Sequence, residues 1–147
     1  MWQRLRTQRV AGRLHHALLL TGPRGIGKRV LAGLLAESIL CDVPLGGESC
    51  GACRNCELVR AGTHPDLLRI APEEPGKQIK IDQIREVADF VMRTSSMASS
   101  KVVFIDPADA MNISSANSLL KSLEEPSPRT HLILVSDAPA RLLATLR

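Results

Sequence analysis

Gly22, Gly25, Gly27 and Lys28 lie in a segment of the form G-x-x-x-x-G-K, the spacing of a phosphate-binding loop. In such a loop successive backbone N–H groups surround phosphate oxygens, the lysine reaches the β- and γ-phosphates, and a following Ser or Thr hydroxyl holds Mg²⁺. Here that last position is Arg29, which has no acceptor lone pair and cannot ligate a cation. The loop keeps the means to hold an anion and has lost its metal ligand. Whether a nucleotide binds is left open.

A second element belongs to the same chemistry. Val102-Val103-Phe104-Ile105-Asp106 is an apolar run ending in a carboxylate, the Walker B form. Ligands of open α/β sheets gather at the carboxyl ends of strands, where Asp106 is expected. The alternative is a buried strand ending in a turn aspartate. An active ATPase needs a glutamate next, to orient or deprotonate water. That position is Pro107, and Asp109, three residues beyond Asp106, is expected to face elsewhere. Two catalytic parts are missing, which argues against efficient hydrolysis.

The third group is Cys41, Cys50, Cys53 and Cys56, with C-x2-C-x2-C spacing among the last three. Four thiolates in one short segment suit tetrahedral Zn²⁺ in a closed, structural site. An iron–sulfur cluster is the rival, although the fourth Cys-Pro usual in ferredoxins is absent. His64 is either a substitute ligand or a turn residue before Pro65.

These groups need a scaffold, and 147 residues suffice for one domain with a real core. A net charge of +4 is compatible with a polyanionic partner without establishing one. The only aromatics, Trp2, Phe90 and Phe104, are too scattered for a base-stacking surface. Arg4, Arg6, Arg9 and Arg13 read as a solvated helix face, with DNA-backbone contact as the alternative. No stretch approaches a membrane span and the N-terminus is too polar for a signal peptide, so the expected location is cytoplasmic. Cysteines in that compartment read as metal ligands sooner than as disulfides.

The pattern predicts a short helix over 3–12, a buried parallel strand over 17–21, and a helix from Lys28 to about Leu40 with Val30, Leu31, Leu34, Leu35 and Ile39 at helical spacing. Residues 41–62 break the rhythm as a metal-binding insertion. A strand over 66–70 and a loop over 71–77 follow. Asp82 is the expected N-cap of a helix to about Met92, with Ile84, Val87, Ala88 and Val91 on one face. A turn over 94–100, a strand over 101–106, a helix over 112–125 stopped by Pro126, a strand over 131–136 and a short helix over 139–147 complete the chain. The fold class is therefore α/β, with a mostly parallel sheet flanked by helices.

Asn117-Ser118-Leu119-Leu120-Lys121-Ser122-Leu123-Glu124-Glu125-Pro126 resembles the LLK-x-LEEP signature of bacterial DNA polymerase III clamp-loader subunits. Thr63-His64-Pro65-Asp66 and the stretch Arg141–Arg147 resemble segments of the same family. The bland reading of 117–126 is an amphipathic core helix. The resemblance implies an AAA+ P-loop domain with strand order 5-1-4-3-2, its fifth strand and a Ser-Arg-Cys motif falling beyond Arg147. Residues 1–147 are then expected to be a truncated AAA+ domain, with 41–62 as its zinc-binding insertion. Ser136 would stand where AAA+ proteins place a γ-phosphate sensor, or it is a plain strand-ending serine.

Within that family the altered loop and the missing glutamate resemble the delta-prime branch. That likeness implies a stator-like subunit in a hetero-pentameric ring with gamma/tau and delta. The ring places the sliding clamp on primed DNA, as part of a complex with DNA polymerase activity. Little or no ATPase activity of its own is expected. The alternatives are an ATP-hydrolysing gamma/tau-type motor and a free-standing zinc-dependent nucleic-acid binder.

Overall fold

A computed structural model describes residues 17–21, 27–42, 44, 46, 48–93, 96–98, 100–124 and 130–137, with 120–124 as backbone only. The predicted helices over 3–12 and 139–147, Gly22, Gly25 and Pro126 lie outside the described residues.

Four strands, β1 (Ala17–Thr21), β2 (Leu67–Ile70), β3 (Lys101–Ile105) and β4 (Thr130–Ser136), form one sheet in the order β1-β4-β3-β2. Every pairing is parallel, with Leu19 opposite Leu134 and Ile105 opposite Leu134 in register. This is the order that the resemblance implies for the first four strands. Parallel neighbours need crossovers, supplied here by helices α1 (Lys28–Leu40), α3 (Ile81–Met92) and α4 (Ile113–Glu124). A further short helix, α2 (Arg54–Ala61), forms inside the cysteine segment, where no helix was expected.

The two-residue period of a strand divides the core into layers. Val103 and Ile105 of β3, with Leu132 and Leu134 of β4, face Ile84, Val87 and Phe90 of α3 and Leu119 of α4. Val102, Phe104, Ile133 and Val135 face the other way, onto Leu35, Ile39 and Leu40 of α1 and Val59 of α2. Both faces of β3 and β4 are thus buried, which is why their sequences read as continuous apolar runs rather than alternating ones.

Two expectations are corrected. Val30 and Leu34 lie on the outer side of α1, 68% and 43% exposed, because Ala32, Leu35, Ala36 and Ile39 supply the surface toward the sheet. Helix α3 begins at Ile81, with Lys80 as its N-cap and Asp82 in its first turn. The Lys80 N–H donates to Gln83 Oε1 at 2.9 Å, so the cap comes from a side chain reaching back, while Asp82 pairs with Arg85 at 3.1 Å. The apolar β3 strand opens on a buried lysine. Lys101 Nζ donates to the Phe90 carbonyl at 2.7 Å and the Val91 carbonyl at 3.3 Å, satisfying carbonyls at the C-terminal end of α3.

Candidate metal centre and phosphate-loop site

The order β1-β4-β3 brings the carboxyl ends of three strands to one crevice. Gly27, at the head of α1, has a φ of +83°, a left-handed conformation that glycine adopts at little cost. Lys28 and Arg29 then open α1, while Asp106 follows β3 and Asp137 follows β4. Lys28 is buried and its Nζ lies 2.6 Å from Asp137 Oδ1. Arg29 spans two carboxylates: its Nε is 2.7 Å from Asp106 Oδ2, and its Nη2 is 3.2 Å from Asp137 Oδ2. The guanidinium therefore takes the place between these acids that a cation would need.

The electrostatics follow from that geometry. Hydrogen bonds from Lys28 first, and from Arg29 second, hold the Asp137 carboxyl well below the usual carboxylate range. Asp106, then Asp137, push Arg29 still higher than an ordinary arginine. Asp106 Oδ1 is buried with no hydrogen-bond partner among the described residues. Ser136 is fully buried and its Oγ donates to Asp109 Oδ1 at 2.7 Å. Asp109 therefore does not face elsewhere: a short 3₁₀ turn, Ala108–Ala110, folds it back over the end of β4. A cleft of about 350 Å³ opens beside this cluster, lined by Arg29, Pro107, Asp109, Asp137 and the loop from Pro72 to Gln78.

Sequence reasoning missed Asp137 and Asp109. Asp137 had a usable signal, since it directly follows a buried strand, as Asp106 does. Asp109 had none, because its position depends on how the chain turns after Pro107.

The cysteines are brought together. The four Sγ atoms all lie within 4.8 Å of one another. Cys50–Cys56, Cys53–Cys41 and Cys53–Cys56 separations are 4.0, 3.9 and 3.5 Å. Sulfurs tetrahedrally placed at about 2.3 Å from a zinc ion would be about 3.8 Å apart, so the four residues present fit such an ion. None of them is in a disulfide. Backbone N–H groups of Ala52 and Cys53 point at Cys50 Sγ from 3.4 and 3.3 Å and lower its pKa to about 6, favouring thiolate. Burial pushes the Cys56 thiol up. The loop needs Gly51: its φ is +75°, and a Cβ there would meet Arg60 Nη2 at 3.0 Å. Arg60 in turn donates to the Gly51 carbonyl and pairs with Glu37 of α1 at 2.9 Å, tying the cysteine loop to α1.

His64 is not a ligand. It is buried, with Nε2 2.6 Å from Asn55 Oδ1 and Nδ1 accepting the Asp66 N–H at 2.9 Å. Asn55 also donates to Asp42 at 2.6 Å. Burial is the main cause that keeps His64 below the usual histidine range, against the pull of Asp66 and Asp42. Asp66 accepts three backbone N–H groups, from Ser96, Met97 and Ala98, at 2.6, 2.9 and 2.8 Å. A polar chain thus runs from the cysteine loop to the loop before β3.

A family model described as DNA polymerase III, delta subunit, matches residues 1–147. The chain is 48% identical over 148 residues to DNA polymerase III subunit delta' of Pseudomonas aeruginosa, covering 99% of this chain and 45% of that protein. It is 43% identical over 137 residues to the Escherichia coli subunit delta', covering 93% of this chain and 41% of that protein. Subunit tau of Escherichia coli is 34% identical over 135 residues, covering 92% of this chain and 20% of that one. The chain therefore spans less than half the length of these relatives. A solved gamma subunit-related protein from Thermotoga maritima shares the fold, with a TM-score of 0.66 and 22% identity over 97% of this chain and 42% of its own. Among the described residues no helix is long and apolar enough to cross a membrane.

Proposed function

Because the chain belongs to the DNA polymerase III delta-subunit family over residues 1–147, we propose that it is the nucleotide-binding-type domain of a delta-prime clamp-loader subunit that does not itself hydrolyse ATP. In this reading it works in the cytoplasm within a ring containing gamma/tau and delta subunits, and the ring places the sliding clamp on primed DNA. The observation that carries the non-motor reading is Arg29, whose guanidinium bridges Asp106 and Asp137. In a motor subunit a hydroxyl at that position and the Walker B carboxylate share a magnesium ion. Pro107 leaves no base beside Asp106 to activate water. The higher identity to delta' than to tau supports the same choice.

Cys41, Cys50, Cys53 and Cys56 would hold zinc as a structural ion. A closed set of four sulfurs leaves no open position for a substrate, and the ion would supply folding energy to a segment too small for its own core. The residues around it bind and orient: Gly51 shapes the loop, and Asn55 and His64 connect it to β2.

The test is to reconstitute the ring from full-length subunits and measure ATP turnover with and without Arg29→Ala in this chain. The expected outcome is unchanged turnover and clamp loading, with no turnover by the full-length subunit alone. Mg²⁺-dependent turnover by the subunit alone would restore the motor reading.

A further inference from the structure

A lysine and an arginine at the first two positions of a 13-residue helix oppose the helix dipole, so their stability there calls for a nearby negative charge. In a phosphate-binding loop that charge is the nucleotide's. Here a carboxylate 109 residues away in the chain supplies it: Asp137 Oδ1 receives Lys28 Nζ at 2.6 Å and Asp137 Oδ2 receives Arg29 Nη2 at 3.2 Å. Both oxygens of one carboxylate thus face the two side chains that would otherwise meet phosphate. The Lys28 side chain is only 3% exposed, so its hydrogen-bonding directions are used inside the protein.

We infer that Asp137 is a built-in occupant of the position where an anion would meet these two cations, a carboxylate that locks Lys28 and Arg29 and excludes polyphosphate from them. The inference rests on reading the site as a nucleotide-binding one and explains why a chain that keeps the loop glycines and Lys28 would be silent toward nucleotide. The metal position and the phosphate position are then blocked by different groups. Arg29 neutralises Asp106, and Asp137 neutralises Lys28. Restoring a hydroxyl at position 29 alone should therefore not restore binding, whereas removing the Asp137 carboxylate should uncover a cationic pair. The adjoining cleft of about 350 Å³ is of ligand-binding size. An anion there would find Arg29, at 44% side-chain exposure, already at its wall.

The experiment titrates sodium tripolyphosphate into the full-length subunit and its Asp137→Asn, Asp137→Ser and Arg29→Thr variants, without added Mg²⁺, after melting curves establish which variants are folded. The folded Asp137 variants are expected to bind at least about tenfold more tightly than the unaltered protein, and Arg29→Thr no more tightly. In the unaltered protein, tripolyphosphate is expected to leave the Lys28 ammonium resonance in place. Equal affinity of the unaltered protein and the Asp137 variants, binding by Arg29→Thr alone, or a phosphate-induced shift of that resonance would each overturn the lock. Turnover of Mg-ATP by the unaltered subunit alone would instead overturn the non-motor reading, so the two failures are told apart.

Discussion

Asp66 shows how much one side chain can organise. Burial alone would raise its pKa, yet three converging N–H groups and His64 outweigh that and hold it below the usual aspartate value. Removing the carboxylate leaves three backbone donors without their acceptor, so Asp66→Ala should cost about 3 kcal/mol in urea unfolding. Amide exchange at Ser96, Met97 and Ala98 should quicken in the same variant. His64, two residues earlier, gives a distinct pH dependence. Its folded pKa lies below the unfolded value of about 6.5, so the unfolded chain binds the extra proton. Its contribution is complete above that value and is lost as pH falls from there toward the folded pKa. Ring-resonance titration should place the His64 midpoint under 6.5, and a midpoint above it would mean that Asp66 and Asp42 outweigh burial.

At the scale of elements, α2 is the part least able to stand alone. Eight residues are fewer than an isolated helix needs in water; Cys53 is its N-cap and Cys56 lies in its first turn. Cys56 and Val59 are both buried, and Val59 packs in the core layer with α1, so the cysteine cluster and the core share a helix. Chelation, or Cys53→Ser, should lower the melting temperature by about 5–10 °C and reduce helical circular dichroism. Metal analysis of the purified protein should give one ion per chain, and none in the variant. Zinc would match the proposal, and iron would favour the cluster alternative. The central strands carry a different risk. Ile105 is fully buried between the α3 and α4 layer and its strand neighbours, so Ile105→Ala should cost about 3 kcal/mol through the cavity it leaves. Equilibrium unfolding in urea measures it.

Across the whole molecule, the crevice at the ends of β1, β3 and β4 is where an active relative would bind nucleotide and where this chain has satisfied its own charges. Ligand linkage makes the consequence measurable. A nucleotide at a hundred times its Kd would add about 2.7 kcal/mol to stability. Mg-ATP is expected to leave the melting temperature of the full-length subunit unchanged, while metal removal lowers it. Opposite responses to those two treatments would exchange the roles of the sites.

Sequence alone determined the α/β class, all four described strands within a residue or so, the four-cysteine set, and the loss of a hydroxyl at Arg29 and of a base at Pro107. These are properties of local period and residue chemistry: an apolar run long enough for a strand, or a side chain lacking lone pairs, needs no partner to be recognised. Tertiary structure decided who meets whom. Asp137 with Lys28, Arg29 with Asp106, Ser136 with Asp109, and Asp66 with the 96–98 loop are separated by 109, 77, 27 and 30 to 32 residues. Helix α2 likewise lies among the gathered cysteines, with Cys53 as its N-cap and Cys56 in its first turn. Periodicity tells each residue which face of its own element it occupies. Only the crossover order of a parallel sheet decides which strand ends share a crevice, and so whether an arginine there meets a nucleotide or two carboxylates of its own chain.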